Sequence, residues 1–231
     1  MRFTALLRKE LRESLPWILM AVIALLVLGG FRIRMEASYG MYENRFSHFG
    51  PDQIWDPYQL LVQSVLGDSA VLLICVSAGL GFALGARHFG FPLFTKTWPF
   101  LLHRSVTRMT ILAAKLVVAL FAQIVCLGLA WLLLYRYAAD PNQFMIPPPV
   151  EMVFRGFLYI LIGLLAYWGT ALSAISRNRW YTTKIFGLVL ASIVAAAITS
   201  TSSWPWALVT ILVAAMILLS QTVHTFLIRE F

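Results

Sequence analysis

The sequence predicts an all-helical integral membrane protein with six transmembrane helices, and three observations lead to this prediction. First, 60% of the 231 residues are hydrophobic and only 12% are charged, whereas soluble domains carry about 25% charged residues. Second, the apolar residues form runs long enough to cross a bilayer, which takes about 20 residues. Third, the basic residues stand at the ends of these runs. Membrane topology therefore explains the formal charge of +8, and nucleic acid is not expected as a partner.

The apolar runs predict a single transmembrane domain over residues 1–231. Pro16 fits the opening turn of the first span, and Arg32 and Arg34 are predicted to end that span. The run from Ile185 to Phe226 has room for two spans with a tight turn between them. The six predicted spans cover residues 15–31, 60–86, 111–135, 154–175, 185–203 and 206–226.

The residues before the first span predict an amphipathic helix at the water boundary. The apolar side chains share one helical stripe, and the charged ones lie elsewhere on the helix. A cleaved signal peptide is the alternative, but the region holds acids as well as bases and no small-x-small cleavage site follows Phe31. The residues of the predicted interfacial stripe are Phe3, Leu6, Leu7 and Leu11.

The distribution of Lys and Arg predicts that both termini lie in the cytoplasm. Thirteen basic residues fall on the side of the N-terminus and five on the opposite side. The predicted inner set is Arg2, Arg8, Lys9, Arg12, Arg87, Lys96, Arg104, Arg108, Lys115, Arg177, Arg179, Lys184 and Arg229, and the outer set is Arg32, Arg34, Arg45, Arg136 and Arg155. The loop at 32–57, which would lie outside, carries no recognisable functional motif.

Candidate polar and small residues inside the spans are few. Asp68 is the acid that this assignment places within a span, where a carboxylate costs about 2.5–3.5 kcal/mol; it lies either at the outer water boundary or in a translocation path or ion pair. Gly81 and Gly85 form a small-xxx-small pair that lets another helix approach closely. Cys75 and Cys126 fall in apolar runs and are expected to be free thiols.

The sequence predicts no catalytic, metal or nucleotide site of its own. The four histidines lie in different segments without the i, i+4 pairing of a helical metal site, so interface or loop positions are expected for them. No nucleophile elbow, H-E-x-x-H pair or phosphate-binding glycine loop occurs. The chain is therefore not expected to be an enzyme by itself, and any ATP would be bound by another polypeptide. The histidines are His48, His88, His103 and His224.

Residues 94–115 form a basic, partly polar stretch between the second and third spans. Thr97 is suited to cap a helix, Pro99 is tolerated in a first turn, and the apolar side chains that follow share one face at i, i+3, i+4 spacing. This pattern predicts a short amphipathic helix at the water boundary, where it either rests on anionic lipid or binds a soluble partner. The predicted apolar face is Trp98, Leu101 and Leu102, and His103, Arg104 and Thr107 fall mostly on other faces.

The order of residues in this stretch resembles the membrane subunits, or permeases, of the second class (ABC-2 type) of ATP-binding-cassette exporters. In that family a threonine, a Leu-Leu pair, a proline, a Ser/Thr-Arg pair, an Ile-Leu step and a Lys recur between spans two and three. The matching residues here are Thr97, Leu101, Leu102, Thr107, Arg108, Ile111, Leu112 and Lys115. Ser105 stands where the family usually has proline, and the acid common just upstream is missing from 87–96.

The resemblance implies a bacterial inner-membrane permease that pairs with a second permease subunit, identical or homologous, around a translocation path. A pair of cytoplasmic ATPase subunits would bind ATP and Mg, with no cofactor on this chain, and would dock on the helix between spans two and three. Two other classes stay open: a non-transporting membrane scaffold, and an ion-coupled carrier, for which no convincing internal repeat is seen. The docking residues that the resemblance implies are Thr97, Trp98, Leu101, Leu102, His103, Arg104 and Arg108, supported by the interfacial helix.

Overall fold

A computed structural model describes residues 2–42, 71–95, 107–140, 148–176, 185–201 and 203–228. Within these ranges the chain forms six helical segments and no strand, which confirms the all-helical fold class for the described part. The segments are α1 (Arg2–Tyr42), α2 (Val71–Phe94), α3 (Arg108–Ala138), α4 (Glu151–Ile175), α5 (Phe186–Ser200) and α6 (Trp204–Ile228).

Five of these helices are long and apolar enough to cross a membrane, namely α1, α2, α3, α4 and α6. Helix α5 is apolar but has only 15 residues. At 1.5 Å per residue it extends about 22 Å, which is shorter than the roughly 30 Å hydrocarbon core. The described residues thus contain five candidate spans rather than the six that were predicted.

Helix α1 runs without a break from Arg2 to Tyr42, and this bears on two predicted boundaries. The helix continues through Arg32 and Arg34, which were predicted to end the first span, because arginine is a good helix former; the end of the span itself stays a prediction. Pro16 lies inside α1 rather than in an opening turn, so the predicted interfacial helix and the first span are one helix. Helix α2 likewise continues past the predicted end at residue 86 to Phe94.

Two helices contain π-helical segments, at Ala86–Gly90 in α2 and at Phe121–Leu127 in α3. A π segment adds residues to a turn, shifts the faces that follow, and occurs frequently at functional sites. In α2 it places the consecutive residues His88, Phe89 and Gly90 in the interior. In α3 it carries the buried Gln123.

Helix α4 is the central helix of the bundle. In its most apolar stretch 72% of the residues are buried, against 28% for α1 and for α6. Helix α4 packs against α6, α5, α2 and α3, whereas α1 packs along α3. The large side chains at the centre of α4, including Tyr167, Leu165 and Ile160, are fully buried, so α4 fixes the positions of its neighbours.

The backbones of α2 and α4 come into direct contact. A Cβ atom at Gly81 would collide with the carbonyl oxygen of Gly163, and one at Gly85 would lie 2.9 Å from the carbonyl oxygen of Tyr167. The predicted close approach at Gly81 and Gly85 is therefore confirmed. Cys75 and Cys126 are free, also as predicted.

Candidate functional site: a buried polar network between four helices

Five polar side chains from four helices meet in the interior, and we refer to them as the polar network. Glu10 and Ser14 come from α1, His88 from the π segment of α2, Lys115 from α3 and Tyr167 from α4. Each is buried, with at most 5% of the whole residue exposed. Ionisable side chains inside a membrane bundle are costly and usually have a function, so this network is the first place to look for one.

An ion pair between Glu10 and Lys115 forms the charged part of the network. Lys115 Nζ donates a hydrogen bond to Glu10 Oε1 at 3.0 Å, and the two side chains are only 3% and 7% exposed. Such a pair adds little net stability over apolar residues, but removing one partner leaves a buried, uncompensated charge. The pair therefore specifies how α1 is placed on α3.

His88 extends the network from the ion pair to α4. Its Nε2 lies 3.0 Å from Ser14 Oγ and 3.9 Å from Glu10 Oε2, and its Nδ1 lies 3.0 Å from the hydroxyl oxygen of Tyr167. Because a hydroxyl both donates and accepts, both ring nitrogens are satisfied in either tautomer. The His88 and Tyr167 rings also meet edge to face with centroids 5.7 Å apart, a favoured aromatic geometry.

A second ion pair lies at the exposed edge of the network. Arg87 Nη2 donates to Glu13 Oε2 at 3.1 Å, and Lys9 Nζ lies 3.8 Å from Glu13 Oε1. Glu13 is 40% exposed, so this contact is screened by solvent. The guanidinium of Arg87 also lies over the ring of Phe91, 5.6 Å from its centroid. Helix α1 is thus attached to α2 by an exposed ion pair and to α3 by a buried one.

The start of α3 is fixed by its own cap and by a contact with the end of α6. The Thr107 hydroxyl accepts a hydrogen bond from the backbone N–H of Thr110 at 3.3 Å, an N-cap contact that stabilises a first turn. Arg108 Nη1 donates to the carbonyl oxygen of Leu227 at 3.1 Å. About two turns further along α3, Lys115 makes its contact with α1. Two helices are therefore held by the first two turns of α3.

The structure describes only part of the predicted docking and path residues. Arg108 lies in the first turn of α3, and the N-terminal stripe lies on α1, where Leu6 and Leu11 pack against the core while Phe3 is exposed; Leu7 is half-buried. The predicted site residues that fall outside the described ranges are Asp68, Thr97, Trp98, Leu101, Leu102, His103 and Arg104.

One expectation about polar residues is wrong. His88 was expected at an interface or in a loop, but it is 1% exposed within the bundle. The burial of Glu10 on α1 was not predicted either, whereas the placement of Asp68, which lies outside the described residues, stays a prediction. One signal was present in the sequence: Glu10 and Ser14 continue, at four-residue spacing, the buried stripe that contains Ile18. His224 is exposed near the end of α6.

An uncharged polar cluster lies elsewhere between α2, α3 and α4, and we call it the neutral cluster. Ser77 Oγ lies 3.0 Å from Gln123 Oε1 and 2.9 Å from the carbonyl oxygen of Ile160, and Gln123 Nε2 donates to the carbonyl oxygen of Ser77 at 3.0 Å. Gly163 faces this cluster, and a Cβ there would collide with Ser77 Oγ. The neutral cluster fixes the spacing of α2 and α4 without any charge.

The groups of the polar network are hydrogen-bonded or ion-paired to one another. The residues that the structure describes contain no group of three or more potential metal ligands. Comparison of the chain with family models, with curated proteins and with solved structures found no match. The fold and the apolar helices define the class of the molecule, which is a helical membrane protein.

Proposed function

We propose that the chain is a permease subunit of an ATP-binding-cassette exporter of the second class and works with a separate cytoplasmic ATPase. The motif spans residues 97–115, and the observation that carries the proposal is where the structure places its last residues, from Arg108 to Lys115. Ile111 and Leu112 are buried at the start of α3, where they anchor this helix in the bundle. Arg108 and Lys115, on the same two turns, bind α6 and α1.

These contacts supply a route for mechanical coupling. An ATPase that moves residues 97–106 would pull on the start of α3, which follows directly in the chain. The displacement would pass to α6 through Arg108 and to α1 through Lys115, and His88 and Tyr167 would extend it to α2 and α4. Nucleotide binding would then favour one of two arrangements of the bundle, because the ATPase has different affinities for nucleotide in the two.

The proposal includes α5 as a short fifth span, so that six spans place both termini in the cytoplasm. A 15-residue helix crosses a bilayer only with local thinning or with help from flanking residues, at a modest free-energy cost. In this orientation the polar network lies toward the cytoplasmic ends of α1, α2 and α3, near the proposed docking segment.

A second permease subunit would complete the translocation path, and the cargo would be a lipid or another hydrophobic small molecule.

Truncating the two leucines of the proposed docking face tests the function. The variant Leu101→Ala with Leu102→Ala should insert and purify normally, yet lose a co-expressed ATP-binding-cassette ATPase during affinity purification, because buried anchors contribute a few kcal/mol to an interface. Met109→Ala is the matched control, since Met109 is 50% exposed in the first turn of α3 and outside the docking face. Equal retention of the ATPase by both variants would contradict the docking proposal.

The same preparation separates an exporter from a membrane scaffold. An exporter subunit changes the rate of ATP hydrolysis of the ATPase it binds, because the two states of the bundle are coupled to nucleotide. A scaffold binds its partner and leaves this rate unchanged. Retention of the ATPase without any effect of the permease on ATP turnover in proteoliposomes would favour the scaffold.

A further inference from the structure

The outward face of the first turns of α1 carries an open, basic groove. Arg8 and Arg12 lie one helical turn apart and are both exposed. They line the groove together with Thr4, Ala5, Lys9, Leu11, Glu13 and Leu15, and its volume is ≈ 1310 Å³. Small-molecule sites occupy roughly 300–1,000 Å³, so the groove has room for a phospholipid headgroup with its glycerol backbone.

The two arginines carry charges that α1 does not neutralise. Of the acids nearby on this helix, Glu10 is paired with Lys115, and Glu13 is paired with Arg87 and Lys9. Neither arginine has an acidic partner among the residues that the structure describes. Two guanidinium groups at i, i+4 spacing suit one phosphate group, because each presents a planar fork of donors that matches phosphate oxygens.

The same face of α1 becomes apolar one turn beyond Arg12. Leu15, Leu19 and Ile23 are 45%, 49% and 58% exposed. The change from guanidinium to aliphatic side chains takes place within about 5 Å along the helix. A turn with basic side chains is thus followed directly by exposed aliphatic side chains, which we call the aliphatic wall. This order matches the boundary between the headgroups and acyl chains of one leaflet.

We infer that Arg8 and Arg12 bind the phosphate of an anionic phospholipid whose acyl chains lie against Leu15 and Leu19. The charge of the groove selects an anion, and the aliphatic wall beside it selects an anion that carries acyl chains. A soluble phosphate would use only the arginines, and an acidic peptide would leave the aliphatic wall uncovered. The site does not depend on an ATPase, so it goes beyond the proposed function.

Competitive lipid retention by the purified full chain tests this site. The protein in mild detergent is given equal amounts of phosphatidylglycerol and phosphatidylcholine, and bound lipid is counted by native mass spectrometry. The wild type should retain mainly phosphatidylglycerol, and Arg8→Gln with Arg12→Gln should lower the ratio of the two lipids on the order of tenfold. Arg8→Lys with Arg12→Lys should keep part of the preference, since the charge remains.

A matched control changes the same charge at the other end of the same helix. Arg32→Gln with Arg34→Gln should leave the lipid ratio unchanged, and both double variants should keep the polar network intact. An unchanged ratio in the Arg8 and Arg12 variant, or an equal drop in the control, would overturn the site. Displacement of phosphatidylglycerol by millimolar inorganic phosphate would also overturn the site. So would a result in which the Arg8 and Arg12 variant keeps its lipid but loses a bound protein partner.

Discussion

The polar network and the neutral cluster both join α2, α3 and α4, but they do so in different ways. The neutral cluster lies where backbones meet, and glycine at 163 leaves the space that Ser77 and Gln123 occupy. The polar network joins its helices through charged and hydrogen-bonding side chains, and of the two only this network reaches α1. The neutral cluster therefore relates α2 and α4 at a close backbone contact, whereas α1 is held by the long side chains of the polar network.

Removing one charge from the polar network should have the largest effect on stability. Lys115→Met leaves Glu10 buried without its cation and is expected to lower the free energy of unfolding by about 3–5 kcal/mol. The measurement is equilibrium unfolding in mixed micelles, followed by tryptophan fluorescence. Adding Glu10→Gln to this variant should recover most of the loss, because no charge is then left unpaired. A double variant as unstable as the single one would show that the ion pair is not the source of the effect.

Filling the space beside the neutral cluster should have the next largest effect. Gly163→Ala puts a methyl group against Ser77 Oγ and the Ser77 carbonyl oxygen, and overpacking of this kind costs about 1–3 kcal/mol. Gly79→Ala is the matched control, because a Cβ at Gly79 meets nothing within 4 Å. Both are measured in the same unfolding assay. Equal stability of the two variants would mean that α2 and α4 are not in backbone contact.

The exposed ion pair at the edge of the polar network should contribute least. Glu13→Gln removes the partner of Arg87 and Lys9, but Glu13 is 40% exposed, and exposed pairs are worth about 0–1 kcal/mol. The small loss should disappear at high salt, which screens this contact. A loss as large as that of Lys115→Met would place Glu13, rather than Glu10, at the centre of the attachment of α1.

The helices and one of their contacts could be predicted from the sequence, because hydropathy and small-residue spacing are local patterns. Gly81 and Gly85 indicated a close helix approach that the structure confirms. The burial of Glu10 and His88 was missed because each depends on a partner 70 or more residues away, as in the contacts of His88 with Ser14 and Tyr167. The π segments in α2 and α3 also have no simple periodic signal, since they interrupt the period on which prediction depends.

The proposed route from an ATPase to α1 passes through the ion pair between Glu10 and Lys115. ATP hydrolysis by the complex reconstituted with the Glu10→Gln, Lys115→Met variant tests this route most directly. Since the double variant leaves no unpaired charge, it should be close to wild type in stability and should still retain the ATPase. We expect its stimulation of ATP hydrolysis to fall toward the rate of the ATPase alone. Wild-type stimulation by a stable, fully assembled double variant would contradict the route and leave the ion pair with a purely structural role.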